Sequence, residues 1–300
     1  MRLAQAQAWG VSRAQVMALV RRKQLVKVRH GVYCLARDWL ASESDDALRR
    51  RLIAGAAIAG LRPPGWACGS FSAELHGLPL PHGQPSSIEL VRQSGCDVRS
   101  ARDRLKEENR LDGVVTLTRD LTGETMEVIL GIPTISIDAA TVTAAAQIQR
   151  EFGVALVDAA LRRGSCETSL LDACDRWSSS GGVSAVREYV SLGRAGAESP
   201  LESVSRIRLL DRGLPEPILQ HEFHDARGFV ARTDMWWPQW NLVGEADGLV
   251  KYDTASDVKA EKIREDRLRA MGLKIVRWTW DDMWHRPHEV VARIRNAANS

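Results

Sequence analysis

Apolar positions in the first forty residues follow two different periods. Val16, Leu19 and Val20 recur at helical spacing, and residues 12–15 directly before them match the Ser-x-x-Gln pattern of a capping box. Beyond residue 24 most positions are β-formers, and Gly31 divides them where a tight hairpin turn needs a positive φ. A short helix, a turn, a capped helix and a hairpin predict a winged helix-turn-helix over residues 1–40.

The middle of the chain, residues 41–177, mixes the two periods and predicts an α/β domain. Segments with helical spacing alternate with runs of β-branched and apolar residues. The predicted strands are 88–91, 114–117 and 126–130, and the predicted helices are 47–59, 70–79, 137–146 and 152–163. Residues 132–134 are expected to lead directly into the helix at 137.

Residues 178–198 are rich in serine and glycine at both ends and predict a linker around one short helix. Pro200 then opens a helix, and the pattern continues with strands 218–223, 229–235 and 242–247, helix 261–270, strand 274–280 and helix 288–297. Residues 199–300 therefore form a third domain, and the predicted fold is α/β (α+β overall). Trp278 and Trp280 are expected in its core, whereas Trp236, Trp237 and Trp240 fit either core packing or base stacking.

Composition adds few restrictions of its own. The chain has 300 residues, of which 44% are hydrophobic and 26% charged, and this excludes collagen-like, wholly disordered and coiled-coil proteins. No run approaches the ~20 apolar residues of a membrane helix, and the N-terminus lacks a secretory pattern. The five cysteines are scattered without a C-x-x-C pair, which disfavours disulfide and zinc frameworks. We expect a cytoplasmic protein with no membrane partner.

Charge is distributed unevenly along the chain. The first forty residues carry eight basic side chains against Asp38 alone, a net charge of +7, so the remaining 260 residues carry −4 to give the total of +3. A basic module on a mildly acidic body indicates a polyanionic partner, with DNA first. The candidate DNA-binding residues are Arg13, Arg21, Arg22, Lys23, Lys27 and Arg29.

Carboxylates cluster among apolar residues of the C-terminal domain. Glu245 and Asp247 are two positions apart on a predicted strand, so they project from one face, and Asp234 lies at the end of the preceding strand. Glu202 lies on the helix expected to cover that face. Carboxylates on adjacent strands can share a divalent cation such as Mg²⁺, which activates water for phosphodiester hydrolysis. The alternative is an exposed acidic face, which the apolar neighbours disfavour.

Two segments resemble one known family. Residues 4–34, with Gly10-Val11-Ser12-Arg13 and Arg29-His30-Gly31-Val32-Tyr33, resemble the N-terminal domain of AbiEi-type antitoxins and transcriptional regulators. The block Ser70-x-Ser72-Ala73-x-x-His76-Gly77-Leu78 resembles their middle region. The resemblance implies DNA binding, often autoregulatory, in a toxin–antitoxin setting where a cognate toxin protein is a further partner. Ser70, Ser72, His76 and Asp138 lack a nucleophile elbow, so we expect them to be structural rather than a hydrolase triad.

The C-terminal domain resembles a second family. The segments 231–234, 243–248, 251–252, 261–264 and 277–280, together with Glu202, are similar to the PD-(D/E)XK restriction-endonuclease-like group related to very-short-patch-repair nucleases. This resemblance implies Mg²⁺ (or Mn²⁺) at Asp234, Glu245 and Asp247. The catalytic candidates that it implies are Glu202, Asp234, Glu245, Asp247, Lys251 and Lys262.

One position departs from the nuclease pattern, and it leaves the function open. The usual lysine two residues after the glutamate is Asp247 here, and Lys251 lies four residues further, ~13 Å along an extended strand. Lys262 on the following helix is the other candidate. The leading hypothesis is Mg²⁺-dependent DNA cleavage or nicking. The rival is a non-enzymatic antitoxin or repressor that uses the nuclease-like fold as a binding platform, and an RNA-binding module is a third.

Overall fold

Helices and mixed β-sheets combine into an α/β fold. The computed structural model describes residues 1–61, 64–94, 113–247 and 255–300, with the backbone alone at 255–260. Contacts group the chain into two units: Met1–Gln147 with Thr168–Ser184, and Ile148–Glu167 with Ala185–Ser300. None of the helices in these described ranges combines the length and apolar character needed to cross a membrane.

The N-terminal module of the first unit, residues 1–41, has the capped helix and the hairpin where the sequence predicts them. Its elements are α1 (Leu3–Ala8), α2 (Arg13–Arg21), β1 (Leu25–Arg29), β2 (Val32–Leu35) and α3 (Ala36–Ala41). Ser12 caps α2, and Gly31 turns the hairpin with φ +70°. Ala6, Val16, Leu25 and Tyr33 form the small core beneath them.

The rest of the first unit is built on a five-stranded sheet in the order β5-β4-β3-β7-β6. Its elements are α4 (Asp46–Gly60), β3 (Gly65–Ala67), α5 (Gly69–Leu75), β4 (Ile88–Gln93), β5 (Val114–Arg119), β6 (Met126–Ile129), β7 (Ile132–Ile135) and α6 (Ile137–Ala145). Residues 132–134, expected only as a lead-in to the helix, form β7. β7 lies between β3 and β6, and its Pro133 is the register partner of Val128 next to the turn at Gly131.

The second unit surrounds a four-stranded sheet in the order β11-β10-β9-β8, of which only β10 and β11 run parallel among its described pairs. Its elements are α7 (Arg150–Arg162), α10 (Pro200–Leu210), β8 (Ile218–Asp225), β9 (Gly228–Trp237), β10 (Leu242–Ala246), α11 (Ala255–Ala270), β11 (Lys274–Trp278), α12 (Trp280–His285) and α13 (Pro287–Asn299). A 3₁₀ turn spans Pro238–Trp240. Helices α8 (Glu167–Arg176) and α9 (Val183–Ser191) contain the points where the chain changes unit.

Two features of this unit differ from the sequence-based expectation. Helix α7, placed in the middle domain by sequence, groups with the C-terminal sheet, because the buried Arg206 of α10 bonds Asp158 of α7 at 3.0 and 3.2 Å. Trp280 begins a helix instead of ending a strand, because Thr279 and Asp282 form a capping box around its first turn. Trp278 is buried as expected, and its indole donates to Ser205 Oγ at 2.8 Å.

Candidate functional sites

Exposed cations surround helix α2 of the N-terminal module. The backbone N–H of Gln15 donates to Ser12 Oγ at 3.2 Å, and the Gln15 side chain accepts from the Ser12 N–H at 2.7 Å, which fixes the start of the helix. Arg13 is its first residue and Arg21 its last, so they lie about 12 Å apart along the helix axis. The exposed basic side chains of this surface are Arg13, Arg21, Arg22, Lys23 and, on β1, Lys27.

Arg29 differs from the other predicted DNA contacts because its side chain is partly buried and bonded within the fold. Its Nη1 donates to the carbonyl oxygens of Ala57 at 3.1 Å and Ala56 at 3.4 Å, both near the end of α4. Burial lowers the pKa of this guanidinium. A Cβ at Gly60 would collide with this guanidinium, so the missing side chain at Gly60 provides the space that Arg29 occupies. Arg29 therefore joins the hairpin to α4.

In the second unit, Glu202 and Asp234 lie close together through one amide side chain. Glu202 of α10 is only 5% exposed, and its Oε2 accepts from Gln220 Nε2 at 2.9 Å and from the N–H of Glu198 at 2.8 Å. Gln220 also bonds the Asp234 carboxyl, whose Oδ2 accepts from the N–H of Ala246 at 2.8 Å. The three side chains and the N–H of Ala246 bring α10, β8, β9 and β10 together.

The charge environment of Asp234 is unfavourable for a carboxylate. Burial, followed by repulsion from Glu202 and a smaller contribution from Glu245, raises the pKa of Asp234 to about 6. Glu202 and Glu245 are therefore close enough to Asp234 in the structure to oppose its ionisation.

Gln220 is the functional candidate that sequence analysis missed. It has φ +53°, a left-handed conformation that is costly for a residue with a Cβ. Its neighbours Leu219 and His221 pair with Met235 and Thr233, which places Gln220 opposite Asp234. A polar residue in a strand is too common to be noticed by itself, and only the register of β8 against β9 could have identified it.

Glu245 is held by two arginines. It is 6% exposed, its Oε1 accepts from Arg264 Nη2 at 2.7 Å, and its Oε2 accepts from Arg277 Nε at 2.8 Å. Glu261 accepts hydrogen bonds from the same two guanidinium groups. Both arginines lie in segments that resemble the nuclease family, but nothing in the sequence assigned them a role.

The remaining catalytic candidates are placed differently. Asp247 directly follows β10, its N–H donates to the carbonyl of Trp278 at 2.9 Å, and burial is the main cause that raises its pKa. Lys262 is exposed on α11. Lys251 lies outside the described residues.

The predicted metal ligands can be tested against this geometry. In the described ranges, no group of three or more His, Cys, Asp or Glu side chains is arranged to hold a metal ion. Both carboxylate oxygens of Glu245 are bonded to guanidinium groups, whose two positive charges oppose a nearby dication. The set Asp234, Glu245 and Asp247 therefore does not fit Mg²⁺ in this arrangement.

The polar block of the middle region is bonded within its own fold. Ser72 Oγ lies 2.6 Å from Thr134 Oγ1, and His76 Nε2 lies 2.9 Å from the carbonyl oxygen of Ile135. These bonds join α5 to β7. Such contacts favour a structural role for Ser72 and His76 over a catalytic one.

No family model matches the chain. Two curated proteins are similar to part of it: uncharacterized protein MT2308 of Mycobacterium tuberculosis strain CDC 1551 / Oshkosh and uncharacterized protein Rv2248 of strain ATCC 25618 / H37Rv. Each is 32% identical over 154 residues, which are 51% of this chain and 57% of the relative. The chain thus spans little more than half the length of these relatives, and its activity and partners are matters for proposal.

Proposed function

We propose that the chain is a cytoplasmic DNA-binding regulator whose N-terminal module contacts DNA as a winged helix-turn-helix. The observation that carries the proposal is the basic surface of α2, with Arg13 at one end and Arg21, Arg22 and Lys23 at the other. The ~12 Å between these ends is comparable with the width of the major groove, so cations at both ends can meet phosphates on both sides of it.

The hairpin adds a second contact beside the helix. Lys27 is exposed on β1, and His30 is exposed at the turn beside Gly31. Such a wing binds phosphate and fixes the register of the helix on the duplex. Arg29 takes no part in this contact, because its guanidinium is bonded to α4.

The C-terminal unit acts in this proposal as a binding platform. The observation in its favour is Glu245, whose two oxygens are bonded to Arg264 and Arg277, so that its negative charge is already compensated by two guanidinium groups. The resemblance to AbiEi-type proteins supports a cognate toxin as the partner of such a platform.

Salt-dependent DNA binding tests the proposal. Fluorescence anisotropy with a labelled duplex should show a slope of log K against log salt that falls in magnitude by ~0.9 for each lost phosphate contact in a triple variant, Arg21→Ala, Arg22→Ala and Lys23→Ala. The matched control removes the same charge from exposed positions of the second unit, Arg227, Arg269 and Arg293. Equal slopes in the two triple variants would refute the assigned surface.

A second candidate function is metal-dependent DNA nicking, with DNA still bound by the N-terminal module. The observation that favours it is the approach of the buried Glu202 and the half-buried Asp234, whose pKa is raised, because such perturbed carboxyls are typical of functional sites. Nicking of supercoiled plasmid in Mg²⁺ or Mn²⁺, abolished in Asp234→Ala, would establish this candidate.

A further inference from the structure

A cavity of about 450 Å³ lies within the first unit, against one face of the five-stranded sheet. Its floor contains Val115, Leu117 and Arg119, alternate residues of the edge strand β5, and Glu89 of the neighbouring strand β4. Trp177 and the residues after it form one wall. Every described residue that lines the cavity belongs to this one unit.

Glu89 places a carboxylate at one end of the cavity. Its Oε2 accepts from the N–H of Ser70 at 2.7 Å, and the carboxyl also bonds the N–H of Phe71 and the side chain of Gln147. Burial nevertheless raises the pKa of the carboxyl. Gly69 has φ +58°, and the carboxylate occupies the space that a Cβ there would need. Among the described lysines and arginines none forms an ion pair with Glu89. The carboxyl is half-buried and hydrogen-bonded but has no cationic partner among these side chains, and a cationic ligand would supply the opposite charge.

Arg119 places a guanidinium at the other end. It stacks 3.9 Å above the ring of Trp177, and its Nη1 and Nη2 each donate at 2.7 Å, to Ser180 Oγ and to the carbonyl of Arg176. These contacts hold the guanidinium plane, and none of the described carboxylates forms an ion pair with it. Burial lowers the pKa of Arg119, and the charges of Glu124 and Asp120 offset this effect only in part.

The strand register separates the two charged residues along the sheet. Glu89 is the register partner of Val115, and the backbone of Arg119 lies four residues further along the strand, about 13 Å away. A molecule that reaches both side chains is therefore elongated. The floor between them is apolar, and Val115 and Leu117 are still 46% and 47% exposed.

We propose that this cavity binds a small, elongated dipolar molecule, with a guanidinium or ammonium group at Glu89 and a carboxylate at Arg119, as in a free basic amino acid. An apolar chain between the two groups packs on Val115 and Leu117. The site is independent of DNA binding and of the carboxylates in the second unit.

Calorimetric titration of the full chain with L-arginine and L-lysine tests the proposal. We expect saturable binding with one site per chain for at least one of them. Agmatine lacks the carboxylate and norleucine lacks the side-chain cation, so each should bind at least about tenfold more weakly, since each loses one charge-assisted hydrogen bond. No binding of either basic amino acid, or equal binding of all four compounds, would overturn the proposal.

Variants of the chain locate the binding. Glu89→Gln keeps an oxygen for the Ser70 N–H but removes the charge, and it should weaken binding of the basic amino acid by at least about tenfold. Because this change also touches the start of α5, Leu117→Trp provides an independent test by filling the cavity from a half-exposed position. Val128→Trp, on the opposite edge strand β6, is the matched control. Unchanged affinity in Glu89→Gln, or equal affinity in the two tryptophan variants, would contradict the assigned site.

Discussion

Glu245 and Arg277 are direct register partners across the parallel strands β10 and β11, and Arg277 Nε donates to Glu245 Oε2 at 2.8 Å. A nuclease of the resembled group would use Glu245 to bind its metal, whereas here this residue is bonded to an arginine. Arg264 completes the arrangement from α11. The strand pairing that forms the sheet thus also neutralises its most buried acid.

The first prediction concerns the stability that this ion pair provides. Arg277→Met removes one of the two cations from a carboxylate that is 6% exposed, and the free energy of unfolding should fall by about 3 kcal/mol. Urea denaturation measures the change. Adding Glu245→Gln to Arg277→Met should restore part of the loss, because the uncompensated charge is then gone.

The matched control for that variant is Arg269→Met. Arg269 is 56% exposed and pairs with Glu265 within one helix, so its removal should cost less than about 0.5 kcal/mol. Similar losses in Arg269→Met and Arg277→Met would show that the buried pair contributes nothing special.

The second prediction is a pH dependence set by Asp234. The pKa of its carboxyl is about 6 in the folded chain and ~3.9 in an unfolded one, so the folded state binds the proton more tightly. The contribution of Asp234 to the free energy of unfolding is therefore largest below pH 4, and it is lost as the pH rises to about 6. Asp234→Asn should raise the free energy of unfolding at pH 7 by at most about 3 kcal/mol. It should also make the free energy of unfolding depend less on pH between about 4 and 6.

Asp225 supplies the contrast of opposite sign. Hydrogen bonds from Arg267 hold the pKa of its carboxyl at about 2, so it stabilises the fold above its ordinary pKa and loses that contribution as the pH falls through 2. Asp225→Asn should therefore lower stability at pH 7. Unfolding curves at several pH values distinguish the two variants, and changes of the same sign would contradict the assigned charge environments.

The third prediction concerns divalent metals. With Glu245 bonded to two guanidinium groups, we expect no nicking of supercoiled DNA and no rise of the melting temperature in millimolar Mn²⁺. Gel electrophoresis and thermal unfolding give the two readouts. A metal-dependent rise of the melting temperature that disappears in Asp234→Ala would instead support the second candidate function.

The fourth prediction separates Arg29 from the exposed cations around α2. Arg29→Ala should leave the salt slope of DNA binding unchanged, because its guanidinium is bonded to carbonyl oxygens of α4. It should lower the free energy of unfolding by about 1–3 kcal/mol, as expected when buried hydrogen bonds to a charged group are lost. Lys27→Ala is the matched comparison on the same strand. It should reduce the salt slope of DNA binding and leave the free energy of unfolding nearly unchanged.

Local signals in the sequence by themselves determined the ends of the elements that surround the sites. The capping box at Ser12, the hairpin turn at Gly31 and the helix opened by Pro200 each depend on residues at most a few positions apart, and all three are in the structure. The alternation of apolar and polar residues likewise predicted the two strands that carry Asp234 and Glu245. Such signals are visible because the physics that produces them acts within one turn or one strand.

Tertiary structure alone decided which groups those acids and cations meet. Glu245 bonds Arg264 and Arg277, 19 and 32 positions away, and Arg29 bonds carbonyls 27 and 28 positions away. Strand register and helix packing select such partners, and a residue type carries no information about either. Gln220 beside Asp234 and the two charges of the cavity, Glu89 and Arg119, arise in the same way. For this reason the sequence could identify candidate acids, whereas only the folded chain showed which of them are neutralised.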